Sequence, residues 1–202
     1  MIRFFVVGIV CVLSVSLTAY TLGLSSNERV FVKAKALGML HKCIRLEEDT
    51  EGFLYPQVDE ETCIKCGLCE KVCPILNQAD KLSVLEVLAV KNPDDGERMN
   101  SSSGGVFLPL AREVINQGGV VFGAVYDESW EVHHVYAEKI EDVYPMMGSK
   151  YLQSKIGNSF KDAERFLKQG REVLFVGSPC QIAGLRTYLR NKQYPNLLAV
   201  DF

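Results

Sequence analysis

Cys63-Ile64-Lys65-Cys66-Gly67-Leu68-Cys69-Glu70-Lys71-Val72-Cys73-Pro74 carries more information than any other stretch of this 202-residue chain. Its spacing, C-x2-C-x2-C-x3-C-P, is the bacterial ferredoxin run that holds a cubane iron–sulfur cluster. Thiolates spaced by two residues can wrap one face of a cluster, the small Gly67 lets the backbone approach the sulfurs, and Pro74 turns the chain away. Structural zinc usually pairs two separated C-x2-C knuckles rather than one tight run. Disulfides fit poorly, because adjacent C-x2-C cysteines are strained for that bond and the rest of the chain holds no matching framework. The expected metal ligands are therefore Cys63, Cys66, Cys69 and Cys73, holding a 4Fe-4S cluster in a protein that moves electrons.

Composition agrees with a folded carrier of such a module. With 48% hydrophobic and 23% charged residues, the chain can bury a core of one domain plus a small module. A formal charge of −3 gives no reason to expect a nucleic-acid surface. Seven cysteines, most of them in the cluster run, point to a reducing cytoplasm rather than to secretion. His133 and His134 are neighbours in a strand-like stretch, so their side chains point to opposite faces and do not share a metal.

The N-terminus conflicts with that compartment. From Phe4 to Asn27 no residue is charged, and Arg3 supplies a short positive start. The segment 1–27 reads as a signal peptide, as an inward-facing membrane anchor, or as residues not native to the domain. Because the cluster is inserted in the cytosol, the anchor is more coherent than export.

Beyond the start, residues 41–80 read as the ferredoxin-type module. Cys43-Ile44-Arg45, an acidic run and Gly52-Phe53-Leu54-Tyr55-Pro56 form a hairpin-like insert leading into the cysteine run. The stretch 77–81 is a polar linker. From 84 to 202 strands alternate with amphipathic helices, which predicts an α/β domain. Leu85–Val90 is the first strand candidate. Ser101–Gly105 opens a helix whose apolar residues are Phe107, Leu110, Ala111, Val114 and Ile115. Strands are expected at Val120–Val125 and Trp130–Ala137. A helix capped by Ser159 and Asp162 and closed by Gly170 buries Phe160, Ala163, Phe166 and Leu167. Val173–Val176 is a short buried strand. Ser178-Pro179-Cys180-Gln181 then supplies a Ser cap, a Pro at the first position and a Gln three after the cap. The chain stops inside a last strand, Leu198–Phe202, and so reads as truncated.

Several of these turns could hold an anion. Ser101–Gly105 offers hydroxyls and permissive backbone at a helix start, although such stretches are more often plain loops. Gly177–Gln181 follows an apolar strand, where ligands of open α/β sheets bind. Cys180 in that first turn is either a thiolate favoured by the helix dipole or a small packing residue. Gly148-Ser149-Lys150-Tyr151 places a lysine and a ring in a turn.

Taken together, Glu51–Pro56, Cys63–Pro74, Ser101–Gly105, Gly148–Ser154 and Gly177–Leu185 resemble the coenzyme F-420 hydrogenase/dehydrogenase β-subunit family over residues 43–202. The resemblance implies an iron–sulfur flavoprotein, a ferredoxin-like module followed by a mixed α/β (or α+β) flavin-binding domain. It implies electrons passing between the cluster and a flavin, FAD, inside a complex with a redox partner subunit, and a small-molecule acceptor of unknown identity. Some relatives reduce a deazaflavin coenzyme. By the same resemblance Ser101, Ser102, Ser103, Gly104, Gly105, Lys150 and Gln153 are the flavin contacts. An electron-transfer module with no substrate site of its own, a thiol-redox protein using Cys180, and a non-functional fragment are the competing readings.

Family members of this layout carry a second cysteine run ahead of Cys43. Here the corresponding positions are Arg29, Val32, Lys35 and Met39, none of them cysteine. In two-cluster ferredoxins the fourth cysteine of each run ligates the other cluster. Either Cys73 swings in, Cys43 or Cys180 substitutes, or the site holds a three-iron cluster.

Overall fold

The computed structural model describes residues 43–77 and 84–202. The apolar segment 1–27, the positions Arg29, Val32, Lys35 and Met39, and most of the linker at 77–81 lie outside the described residues. Among those described, no helix is long and apolar enough to cross a membrane. The chain divides into two compact units between Cys66 and Gly67.

In the first unit, β1 (Ile44–Glu48) and β2 (Leu54–Val58) pair antiparallel, with Ile44 opposite Val58 and Glu48 opposite Leu54. Asp49 closes the turn. Its Oδ1 accepts from the amides of Glu51 and Phe53, both at 2.9 Å. The insert read as hairpin-like is a hairpin because this carboxylate replaces the missing ladder bonds at its tip.

The second unit begins with a short helix, α1 (Leu68–Val72), and holds a four-stranded mixed sheet in the order β4-β3-β5-β6. Two more helices precede the sheet, α2 (Asp95–Met99) and α3 (Phe107–Asn116). Then β3 (Val120–Tyr126) turns back into β4 (Val132–Ala137) as an antiparallel pair. After two 3-10 turns and α4 (Ser159–Lys168), β5 (Val173–Gly177) lies parallel to β3. α5 (Pro179–Tyr188) crosses over to β6 (Leu197–Asp201), parallel to β5.

The alternation of strand side chains makes two cores. Val120, Phe122, Val173 and Phe175 face α4 and α5, where they bury Ala163, Phe166, Leu167, Ile182 and Leu185. Val121 and Leu174 face the other way, against Leu108 and Ala111 of α3 and Val143 and Met146 of the 3-10 turns. Phe122 and Phe175 stack with ring centroids 5.2 Å apart, which ties the two central strands side by side on the α4/α5 face. The arrangement is helices on both faces of a mixed sheet, as the alternating pattern predicts.

Three expectations need correction. Leu85–Val90 is not a strand: it is irregular and exposed, Leu85 at 99%, because none of the sheet strands pairs with it. Its β-branched composition alone cannot make a ladder. The strand expected from Trp130 starts at Val132 instead, because Trp130 sits in the left-handed region (φ +62°) of a turn. Asp127 Oδ1 organises that turn by accepting from the amides of Ser129 and Glu131 at 2.9 Å. Ser159 does not cap α4; its Oγ donates to the buried carbonyl of His134 at 2.9 Å. The stop at Gly170 is as expected, with φ +77°.

Candidate functional site

The cysteine run is delivered by the hairpin. Asp59, just after β2, accepts from the amide of Glu61 through Oδ1, and its carbonyl accepts from the amide of Cys63 at 3.0 Å. A hydrogen bond from Thr62, more than any other contact, holds the Asp59 carboxyl below the usual carboxylate range. The amide of Lys65 then donates to Cys63 Sγ at 3.4 Å, from a left-handed residue (φ +50°). At Gly67 the backbone is again left-handed (φ +67°), and a Cβ there would meet nothing within 4 Å. Glycine is needed at this position for its φ and leaves the approach open.

Cys69 lies in α1, and Cys73 ends that helix with its amide on the Glu70 carbonyl. Beyond Pro74, Asn77 closes the turn by donating to the Cys73 carbonyl through its amide at 2.9 Å and through Nδ2 at 3.2 Å. None of Cys63, Cys66, Cys69 and Cys73 is in a disulfide, and Cys66 and Cys69 stand exposed. Soft, unbridged thiols with an amide aimed at a sulfur fit an iron–sulfur group, whose potential such N–H···S bonds tune.

In the sheet unit, the structure joins two stretches that are far apart in sequence. Ser102 Oγ accepts from the amide of Ser149 at 2.7 Å and lies 3.1 Å from Ser149 Oγ. The serine loop is also pinned from beneath, since the Gly104 carbonyl accepts from the amide of Asn92 at 2.7 Å. A Cβ on Gly104 would sit 2.6 Å from the Val90 carbonyl oxygen, so only glycine allows this approach. Ser101 Oγ is buried with no hydrogen-bond partner, alone in this among side-chain polar atoms of the described residues. Such a buried, unpaired hydroxyl is costly and calls for an explanation. The serines do not themselves cap α3, which starts after Val106.

Lys150 is placed differently from a free phosphate-binding cation. Its Nζ donates to the carbonyls of Met147 (2.7 Å), Pro145 (2.9 Å) and Gly148 (3.2 Å), and burial draws its pKa below the usual lysine value. It ties down the turn from which Ser149 projects. Gln153 is exposed further along the same segment. Ser154 then anchors the far end, with Oγ 2.5 Å from His134 Nδ1. His134 Nε2 is 2.9 Å from the Val176 carbonyl at the end of β5. A carbonyl only accepts, so Nε2 carries the hydrogen and Nδ1 accepts from Ser154. Burial pushes the His134 pKa down, which keeps the ring neutral.

His134 therefore links the Gly148–Ser154 segment to the strand end from which Gly177–Gln181 departs. There the amide of Ser178 donates to Gln181 Oε1 at 2.9 Å, as the capping pattern predicts, and Cys180 is exposed with Sγ 3.1 Å from Ser178 Oγ. Three of the stretches singled out by sequence thus meet at one end of the sheet. Close by, a cleft of about 510 Å³ is walled by Asp94, Glu97, Asn100, Leu108, Tyr144 and Met147. Asn100 and Met147 directly precede the serine loop and the Gly148 turn. Arg112 and Asn92 hydrogen-bond Glu97 and hold its carboxyl below the usual range.

Sequence reasoning missed one cluster. Asp127, Glu131 and His133 bring ligand-type atoms within 4.8 Å of one another at the β3–β4 turn. His133 Nε2 is 2.9 Å from Asp127 Oδ2, and Lys155 Nζ is 2.6 Å from Glu131 Oε1. Lys155 is twenty-odd residues beyond the turn, and the parallel bridge that brings it to His133 has no signature in the sequence.

Comparison with known proteins agrees with the motifs. Residues 55–79 match a 4Fe-4S binding domain family. The chain is 27% identical over 136 residues to a subunit of the F(420)H(2) dehydrogenase of Methanosarcina mazei, covering 65% of this chain and 38% of that protein. It is 29% identical over 123 residues to the coenzyme F420-dependent sulfite reductase of Methanocaldococcus jannaschii, covering 59% of this chain and 19% of that protein. A chain from the F420-reducing [NiFe] hydrogenase complex of Methanosarcina barkeri superposes with a TM-score of 0.44 at 23% identity, over 55% of this chain and 41% of that one. The chain thus spans well under half the length of each of these relatives. It carries a 4Fe-4S binding segment and is similar, over part of their length, to F420-linked redox proteins.

Proposed function

We propose that this chain is an electron-transferring oxidoreductase subunit that pairs a 4Fe-4S cluster held by the Cys63–Cys73 run with a flavin, FAD, on the joined Ser101–Gly105 and Gly148–Ser154 loops. A flavin supplies the conversion between single-electron and hydride chemistry, which a cluster alone lacks. The observation that carries the flavin half is the Ser102–Ser149 junction with the orphaned Ser101 Oγ beside it. In this reading Ser101 and Ser103 offer hydroxyls, Gly104 and Gly105 give close backbone approach, and Gln153 reaches the ring or its tail. Lys150 acts by holding the turn rather than by touching the ligand. The cleft wall of Leu108, Tyr144 and Met147 offers an apolar surface for a ring face.

One relative is named as a dehydrogenase subunit, so a redox partner subunit is part of the proposal; a cytoplasmic location is part of it too, because an unbridged cysteine run suits a reducing compartment. The acceptor is a small molecule, with the deazaflavin coenzyme F420 as the first to test. One observation favours a second reading, a cluster-only electron carrier. The three hydrogen bonds of Lys150 leave that lysine no free donor for a diphosphate. Anaerobic purification decides between them, with iron, sulfide and flavin counted per chain and F420 titrated against the product. Iron with stoichiometric FAD supports the first reading, iron alone the second, and a chain that takes up no iron on reconstitution overturns both.

A further inference from the structure

Within the proposed cluster site, we infer that Cys43 supplies the fourth protein ligand to the cluster held by Cys63, Cys66 and Cys69. This rests on the cluster reading above and names a residue outside the C-x2-C-x2-C-x3-C run. In the two-cluster arrangement the last cysteine of such a run serves the other cluster. Cys73 would then leave the cluster of its own run one thiolate short.

The hairpin brings a further cysteine to the start of the run. β1 and β2 pair from Ile44 opposite Val58, and the ladder extends one step, with the Asp59 amide donating to the Cys43 carbonyl at 2.7 Å. The Asp59 carbonyl in turn accepts from the Cys63 amide at 3.0 Å. Cys43 and Cys63 therefore hang from the two backbone groups of one residue. Burial marks the same place. Between Cys43 and Cys66 every residue is exposed except Cys43, Leu54, Asp59 and Cys63. Two half-buried thiols share the sheltered end of an otherwise exposed hairpin, neither in a disulfide. A thiolate is the donor that iron in such a cluster takes most readily.

The step balances simply. The Cys43 S–H bond breaks and its proton goes to solvent. An Fe–Sγ bond forms, and the water or hydroxide otherwise on that iron leaves. Hydrogen bonds from the Asp59 and Cys63 amides fix the backbone on both sides, so little chain entropy is lost on ligation.

The test is anaerobic reconstitution of the full chain with iron and sulfide, comparing wild type, Cys43→Ser, Cys73→Ser and Cys180→Ser. Iron and sulfide per chain are counted, and electron paramagnetic resonance is recorded on oxidised samples, where a three-iron cluster is paramagnetic and a four-iron cubane is silent. Far-ultraviolet circular dichroism checks that each variant is folded. The expected result is about four irons in wild type, Cys73→Ser and Cys180→Ser, and about three with the three-iron signal in Cys43→Ser. A full cubane in Cys43→Ser overturns the inference, and so does loss of iron from both Cys43→Ser and Cys73→Ser. Should Cys43→Ser misfold, the wild-type cluster is assayed for protection of the Cys43 thiol from alkylation; a Cys43 alkylated with the cubane intact overturns it. A wild type that binds no iron overturns the cluster reading itself.

Discussion

Replacing His134 by leucine tests the link between the Gly148–Ser154 segment and the sheet. Leucine keeps bulk against Phe175, on which the imidazole stacks at 5.5 Å and 12°. It removes both ring nitrogens, so Ser154 Oγ and the Val176 carbonyl lose the partners they have at 2.5 and 2.9 Å. Leaving such groups unpaired costs about 1–3 kcal/mol. The cost depends on pH in a defined direction. Burial lowers the His134 pKa below its ordinary 6.5, so the unfolded chain takes up a proton there that the folded chain refuses. The wild-type contribution is complete above pH 6.5. It declines as the pH falls through that value, and levels off below the folded pKa. Between pH 8 and 5.5 this term amounts to at most about 1.4 kcal/mol for one proton. Leucine has no such term, so the stability gap between the two proteins is largest at pH 8 and narrows on acidification. Urea unfolding at a series of pH values, read by circular dichroism under anaerobic conditions, measures the gap. A gap that stays constant from pH 8 to 5.5 refutes a neutral buried imidazole, and equal stability at pH 8 refutes its role as a link.

Three further outcomes follow from the same geometry. Gly104→Ala drives a Cβ to 2.6 Å from the Val90 backbone oxygen, which cannot rotate away, so the thermal midpoint should fall by an amount equivalent to about 1–3 kcal/mol; an unchanged midpoint means the loop lies elsewhere. Ser102→Ala should cost only about 0.5–1.5 kcal/mol in a denaturant titration, yet lower the flavin recovered per chain severalfold; unchanged flavin content removes the junction from the proposed flavin seat. Cys66→Ser should lose most of the iron bound by wild type after reconstitution; retention of a full complement would place the metal on other groups.

Most of the sheet was legible because its signals are local. Val120–Tyr126 and Val173–Gly177 are short, mostly apolar runs, the first preceded by Gly119 and the second ending at Gly177, and α4 shows its buried stripe at three- and four-residue spacing. The Ser178–Gln181 start was legible because a capping box is written within four residues. Leu85–Val90 misled because its composition states what a strand would accept, not whether a partner exists. Ser159 misled because a hydroxyl serves whichever acceptor the fold presents, and here that is the His134 carbonyl. The cysteine run was readable from spacing alone. What holds the other loops was not. The Ser102–Ser149 junction spans 47 residues, and the carbonyls that engage Lys150 become a cluster only when the 3-10 turn forms.

That loop network has a physical consequence for the proposed chemistry. The bonds that assemble it are Ser102 to Ser149, Ser154 to His134, His134 to a carbonyl, Asn92 to the Gly104 carbonyl, and Lys150 to three carbonyls. Only Lys150 carries charge, and its partners are neutral dipoles. A redox group changes its charge with every electron, and charged ligating side chains would shift with it, since Coulomb forces act over several ångströms in a partly buried site. Neutral hydrogen bonds depend on geometry instead and respond weakly to that change. The formally charged pair nearby, Glu97 with Arg112, sits on the cleft wall and is balanced internally. If the proposed flavin binds there, its seat would hold its shape through both oxidation states, because the framework is fixed to β5 and to the Asn92 amide. The same argument explains why Lys150 belongs under the turn. There its charge fixes the loop, whereas in contact with the ligand it would bias one redox state over the other.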